Sequence, residues 1–366
     1  LCLLLCLGVS AKAPVKIACV GNSITYGYTI ENRERDSYPA QLQRMLGEGY
    51  VVGNFGKSGA TLLNKGHRPY MKQEEFQKAL AFAGDIVVIH LGINDTDPRN
   101  WPDYRDFFVR DYLALIDSFR VVNPDVRILV ARMTPIADRH PRFESGTRDW
   151  HGEIQQAIET VARYANVQLI DFHEPLYRYP FMLPDAVHPT VEGAGILAKI
   201  VYSAITGDYG GLRLSEIYSD NMVLQCGCLL DIHGVADAGE KVTVSIAGQT
   251  ESAKAGANGK WAVCLKPLQP GGPHTLTVST GKRRLHFDSF FSVRSQTFIH
   301  QFLIDVVETD GCALFCKSRC NSKTDTIRSA CYKSYFTFQR KIQILIHDTY
   351  IIKLMKLYDL FQVCNQ

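Results

Sequence analysis

The 366-residue chain has no run of about 20 uninterrupted apolar residues, the length a membrane-spanning helix needs, so a polytopic membrane protein is excluded. It also lacks an excess of either charge. Forty Lys and Arg against 37 Asp and Glu leave a net +3, without the basic surplus of a dedicated nucleic-acid binder. The other shortages are local. Residues 289–366 hold one glycine, Gly311, and no proline or tryptophan. Average usage would supply about five glycines and about four prolines in that length. The same stretch carries five of the eleven cysteines. Cys312, Cys316 and Cys320 stand at x3, x3 spacing, which fits no metal pattern of the C-x2-C kind, and no disulfide framework is legible. A shifted reading frame or a misassembled gene would produce such a composition. Residues 289–366 are therefore expected to be an atypical, disordered tail.

The other end is apolar and short. Leu1–Val9 leads to Ala11-Lys12-Ala13, an A-x-A-like cleavage site, so residues 1–13 read as the remnant of a secretory signal peptide. That predicts export to a periplasmic or extracellular location, with no stable membrane insertion. Cys6 leaves lipoprotein anchoring as a less favoured alternative, because its neighbours fit that motif poorly.

Between the ends, two patterns follow one another. Over 14–207, the Val/Ile-rich runs Val15–Val20, Tyr50–Phe55, Asp85–Leu91, Arg127–Met133 and Val167–Asp171 alternate with helical periodicity near 38–47, 72–83, 105–122, 149–165 and 190–205. Nearly continuous apolar strands are those covered on both faces, and β-α alternation implies a parallel sheet. The expected fold class is α/β: a three-layer α/β/α sandwich on a five-stranded parallel sheet. Over 208–288, short alternating runs (Leu229–His233, Lys241–Ile246, Lys260–Leu265, His274–Val278) are separated by Gly/Ala/Asp/Pro turns, the pattern of a small all-β sandwich.

In an open parallel sheet, ligands sit beyond the carboxyl ends of the strands, so the residues just after each strand are the candidates. Strand one runs into Gly21-Asn22-Ser23-Ile24. A serine there can present its hydroxyl at the sheet edge, or it can simply cap the next helix. Strand two leads to Gly56-Lys57-Ser58-Gly59, where a glycine can aim an N–H at a ligand or merely form a turn. Strand three leads to Gly92-Ile93-Asn94-Asp95, and Asn94 can point its amide into the same cleft or make an Asx-turn. After strand five, Pro184-Asp185-Ala186-Val187-His188-Pro189 holds a carboxylate and an imidazole three residues apart on one loop, where the carboxylate can fix the tautomer of the ring. Other groups take plainer roles. His67, His140, His151 and His173 lie apart in sequence without ligand spacing; His90 ends strand three; Asp95 and Asp97 read as loop-stabilising. Arg68 and Arg132 are possible substrate contacts for which no spacing argument exists.

Each signal is weak by itself, but together and in this order they resemble the SGNH (GDSL-like) hydrolase family over 15–205, with Asn22 where the name motif has Asp. The resemblance implies a flavodoxin-like fold and a serine esterase. It implies Ser23 as nucleophile, His188 as general base and acid, and Asp185 as orienting carboxylate. It further implies an oxyanion hole of the Ser23 N–H, the Gly59 N–H and the Asn94 side chain, with no metal and no cofactor. Gly59 is preferred to Gly56 on the Ser-Gly-x-Thr match.

The stretch 211–288 resembles the N-terminal β-domain of sialate O-acetylesterase-like proteins, through Leu212–Gln225, Gly259-Lys260-Trp261 and Gly271–Leu276. In those proteins a second esterase domain follows, opening near a Gly-Gln-Ser-Asn-Met motif that this chain lacks. The pairing points to an O-acetylated glycan as substrate and to acetyl removal as the reaction. Two alternatives remain: a lipid esterase, lysophospholipase or thioesterase on the same fold, and a non-catalytic glycan-binding protein.

Overall fold

The computed structural model describes residues 13–293, and the chain divides into two compact units between Thr206 and Gly207. Residues 1–12, and with them nearly all of the signal-peptide reading, lie outside the described residues.

In the first unit, β1 (Val15–Gly21), β2 (Tyr50–Gly56), β3 (Ile86–His90), β4 (Arg127–Arg132) and β5 (Gln168–Asp171) form one sheet in the order β2-β1-β3-β4-β5. Every pairing is parallel. The helices are α1 (Ser23–Tyr26), α2 (Arg33–Asp36), α3 (Tyr38–Leu46), α4 (Glu74–Phe82), α5 (Trp101–Tyr104), α6 (Phe108–Val122), α7 (Arg148–Tyr164), α8 (Glu174–Tyr177) and α9 (Val191–Thr206). Helices α3 and α9 pack on each other and reach β2 and β5, while α4, α6 and α7 form a second connected group reaching β1, β2, β4 and β5. This double cover explains why all of β3 is buried and why its sequence shows no alternation. The helices keep the opposite pattern: Phe108, Tyr112, Leu115, Ile116 and Phe119 recur at three- and four-residue steps on α6, and all five are buried. The three-layer α/β/α architecture expected from the sequence is present.

Two features of the sheet position the site. Strand order reverses at β1 and β3, which makes the crevice beyond their carboxyl ends the natural ligand position. Register then brings three loops to the same edge, because Gly21 at the end of β1 pairs with Gly56 at the end of β2 and with His90 at the end of β3.

The second unit holds β6 (Arg213–Leu214), β7 (Val223–Gln225), β8 (Leu230–Val235), β9 (Lys241–Ile246), β10 (Gln249–Lys254), β11 (Lys260–Leu265), β12 (Gly271–Ser279) and β13 (Arg284–Val293). They make a five-stranded sheet, β10-β9-β12-β13-β7, and a three-stranded sheet, β11-β8-β6. Inward residues alternate with outward ones: Val242, Val244 and Ile246 of β9 meet Trp261, Val263 and Leu265 of β11 in one apolar core. One sequence expectation needs correction. The compositional break after Asp288 is not a structural boundary, because β13 runs on to Val293 and Phe291–Val293 pairs in parallel with β7. The rest of the tail, 294–366, lies outside the described residues.

Candidate active site

Ser23 is the first residue of α1, a single turn that begins as β1 ends. The capping role that competed for it belongs to its neighbour: Asn22 is fully buried, and its Oδ1 accepts the Ile24 N–H at 3.0 Å. The Ser23 hydroxyl is thereby left for other work, and the Ser23 N–H has no acceptor among the described residues. The turn itself is held by the Gly27 and Tyr28 N–H groups, which donate to the Ser23 carbonyl at 3.0 and 2.9 Å.

Asp185 and His188 lie on the loop between α8 and α9. The Asp185 Oδ1 accepts the Val187 and His188 N–H groups at 3.0 and 2.7 Å, so the loop folds around its own carboxylate. Ala186 takes a positive φ of 74°, and its carbonyl accepts the Ala137 N–H at 2.8 Å, which ties the loop to the segment after β4. The other oxygen, Oδ2, lies 2.6 Å from His188 Nδ1. A carboxylate only accepts, so Nδ1 carries the hydrogen and Nε2 of the neutral ring is free to accept. The Ser23 hydroxyl donates to that Nε2 at 2.8 Å, across 165 residues of sequence. Burial raises the Asp185 carboxyl, but hydrogen bonds from the backbone and ring of His188 and from Val187 outweigh it and hold the group below the usual range. Asp185 thus stays ionised wherever the imidazole needs it. Tyr28 carries no sequence signal; its ring lies 4.8 Å from the His188 ring, centroid to centroid, and is half exposed.

The other two candidates come from the loops after β2 and β3. At Gly56, a Cβ would collide with the backbone nitrogen of Tyr26, and the Gly56 N–H already donates to Asn54 Oδ1 at 3.0 Å. Gly56 is a close-packing residue. Gly59 has φ +76° inside a turn closed by the Ala60 N–H on the Lys57 carbonyl at 3.0 Å, and its own N–H has no acceptor among the described residues. Asn94 sits beside it: one N–H of its amide donates to the Ala60 carbonyl at 2.9 Å, leaving the second for a ligand.

Buried carboxylates fasten these two loops. Asp95 is fully buried, and its two oxygens accept the Leu62 and Leu63 N–H groups, each at 2.9 Å. Burial pushes its carboxyl up to about 7, against the pull of those N–H groups. Asn100 accepts the His67 N–H and donates to the Asn94 carbonyl, both at 2.9 Å, and Asp111 accepts the Asn64 N–H at 2.8 Å. The loop-stabilising reading of Asp95 was right; Asn100 and Asp111 carry no sequence signal, because the His67 and Asn64 N–H groups that they accept come from another loop of the chain.

The remaining histidines take no part in the relay. His90 is fully buried, and burial pushes its ring down to about 3. His151 and His173, distant in sequence, are neighbours in space, with ring centroids 5.5 Å apart. Arg132 pairs with Asp171 and Glu159, and Asp97 with Arg99 and Arg142. No group of three or more His, Cys, Asp or Glu suited to a metal occurs among the described residues, and no helix among them is long and apolar enough to cross a membrane.

A hydroxyl, an imidazole and a carboxylate in relay at the switch point of a 2-1-3-4-5 parallel sheet define a class: three-layer α/β proteins with serine-hydrolase geometry. Within that class, residues 19–196 match the model of the GDSL-like Lipase/Acylhydrolase family. The chain is 37% identical over 212 residues to an acetylxylan esterase of Xylanibacter ruminicola, a match covering 52% of this chain and 43% of that protein. The chain thus spans less than half the length of the curated relative it matches. Among solved structures, a putative GDSL-like lipase from Parabacteroides merdae is 20% identical with a TM-score of 0.44, covering 54% of this chain and 97% of that one. A carbohydrate acetylesterase from Sinorhizobium meliloti is 18% identical with a TM-score of 0.43, covering 53% and 100%.

Proposed function

We propose that this protein is a serine esterase that removes O-acetyl groups from carbohydrates. The observation that carries the reading is the continuous relay from Ser23 Oγ through His188 to Asp185, at 2.8 and 2.6 Å. The 37% identity to an acetylxylan esterase supports acetyl as the acyl group and a polysaccharide as its carrier.

In this reading, Ser23 Oγ attacks the ester carbonyl as its proton passes to His188 Nε2. The carbonyl π electrons move to oxygen, and the resulting oxyanion is met by the N–H groups of Ser23 and Gly59 and the Asn94 amide. Donors fixed in advance favour the charge where it develops, each worth roughly 3–4 kcal/mol of barrier. The imidazolium, held by ionised Asp185, protonates the departing sugar alkoxide as the C–O bond breaks. Water then attacks acetyl-Ser23 by the same route, releasing acetate and restoring the hydroxyl.

Acetate release from acetylated xylan and from a panel of other O-acetylated glycans tests the reading, beside p-nitrophenyl acetate and p-nitrophenyl palmitate. Acetyl esters should be preferred. Faster turnover of the long-chain ester would replace this reading with a lipid esterase, and glycan binding without turnover would make the protein a binder. Export follows from the first 13 residues and is tested by locating the expressed full chain in the medium or periplasm.

A further inference from the structure

We propose that Arg68 is a positioning residue that fixes the direction of the Gly59 N–H. The proposal rests on the reading above, in which that N–H faces the oxyanion. The Arg68 Nη1 donates to the Ser58 carbonyl at 3.0 Å. In a planar trans peptide, the Ser58 C=O and the Gly59 N–H point in opposite directions, so a hold on the first sets the second.

The local turn makes this hold consequential. Lys57-Ser58-Gly59-Ala60 is closed by an i to i+3 hydrogen bond, with positive φ at Gly59 and not at Ser58. That is a type II turn, and it differs from type I mainly by a flip of the central peptide, here Ser58–Gly59. Glycine permits both forms. A flipped peptide would turn the Gly59 N–H away and put a carbonyl oxygen, with its negative end, in its place. No other hydrogen bond to the Ser58 carbonyl or the Gly59 N–H occurs among the described residues, so the guanidinium is what selects between the forms.

Arg68 is itself anchored at its backbone. Its carbonyl accepts the Thr61 N–H at 2.8 Å, and the adjacent His67 N–H donates to Asn100 Oδ1 at 2.9 Å. Its side chain makes no ion pair with a carboxylate among the described residues, so no carboxylate draws the guanidinium away from Ser58. A Cβ on Gly59 would stand 3.3 Å from Arg68 Nη1, which leaves little room for the peptide to move toward it.

The test compares wild type, Arg68→Ala, Arg68→Lys and Asn94→Ala on p-nitrophenyl acetate, with kcat and KM separated and Tm recorded. Arg68→Ala should lower kcat about 10- to 100-fold, part of the 10²–10³ that outright loss of a donor costs, with KM within about twofold of wild type. Millimolar guanidinium should restore part of kcat in Arg68→Ala and none in Asn94→Ala, and Arg68→Lys should lie between. The proposal is overturned if Arg68→Ala keeps wild-type kcat while Asn94→Ala loses it. It is equally overturned if the loss follows a fallen Tm and guanidinium does not restore it. Absence of hydrolysis by the wild type would instead remove the esterase reading, and this proposal with it.

Discussion

The two units of the chain bury different things. Among the described residues, every buried Asn, Gln, Ser, Thr, His or Asp lies between Asn22 and Ser203, whereas the core of the β unit is built of hydrophobic residues, in which Tyr218 and Trp261 bring a polar atom. A buried polar group is costly unless it is hydrogen-bonded, so proteins keep such groups where they do something. In the α/β unit they do two things. Some hold the reacting groups, as Asn22 does by capping the turn that presents Ser23. Others, such as Asp95 and Asn100, fasten the loops that carry Gly59 and Asn94. Among the described residues of the β unit no comparable arrangement occurs, and along β9 and β11 residues alternate simply between core and solvent.

If this contrast is right, substitutions in the two units should separate activity from stability. The largest effect is expected from Ser23→Ala, which should lower kcat/KM on p-nitrophenyl acetate by about 10⁴-fold or more while the melting curve stays near wild type. Next, Asn94→Ala should cost about 10²–10³ in kcat on the same substrate, because one oxyanion donor is gone. In the β unit, Leu276→Ala should lower unfolding free energy by about 2–5 kcal/mol in denaturant titrations and leave kcat on that small ester unchanged. A drop in kcat there would break the division of labour.

The smallest effect sharpens the comparison within the α/β unit. Asp95→Asn keeps one acceptor but turns an amide toward the second N–H, so it should cost about 1–3 kcal/mol at acid pH. The pH dependence has a definite sign. With its carboxyl at about 7 in the folded state, against an ordinary value of 3.8, Asp95 binds its proton more tightly folded than unfolded. Its contribution to stability therefore shrinks as pH rises from about 4 through about 7. Denaturant midpoints measured across that range should show this slope in wild type and lose it in Asp95→Asn. An unchanged slope would place the titration elsewhere.

Legibility from sequence followed burial. Strands β1, β3 and β4 were readable because two covering layers make them continuous apolar runs. Helix α6 was readable because one buried face repeats every three or four residues. Strand β10 was invisible: Gln249–Lys254 is a polar edge strand with little buried surface, specified by its hairpin with β9 through Ala247-Gly248, both at positive φ. The tail was misjudged at its start because composition averages over many residues, whereas β13 needs only the ladders it makes with β12 and β7. In the site, residues carrying a motif were readable. Tyr28, Asn100, Asp111 and the action of Arg68 on Ser58 were not, because each acts on a group that only folding brings near.

The sequence by itself determined the layer pattern, the loops that follow the strands, and which hydroxyl, imidazole, carboxylate and amide stand on those loops. Those features are local, written in periodicity and in short spacings such as the three residues from Asp185 to His188. Only the tertiary structure decided that Ser23 meets His188, 165 positions further along, that the Gly56 N–H is spent on Asn54 while the Gly59 N–H has no acceptor among the described residues, and that Asn22 takes the cap. Hydrogen bonding acts over about 3 Å, and no linear pattern records which distant atoms come that close.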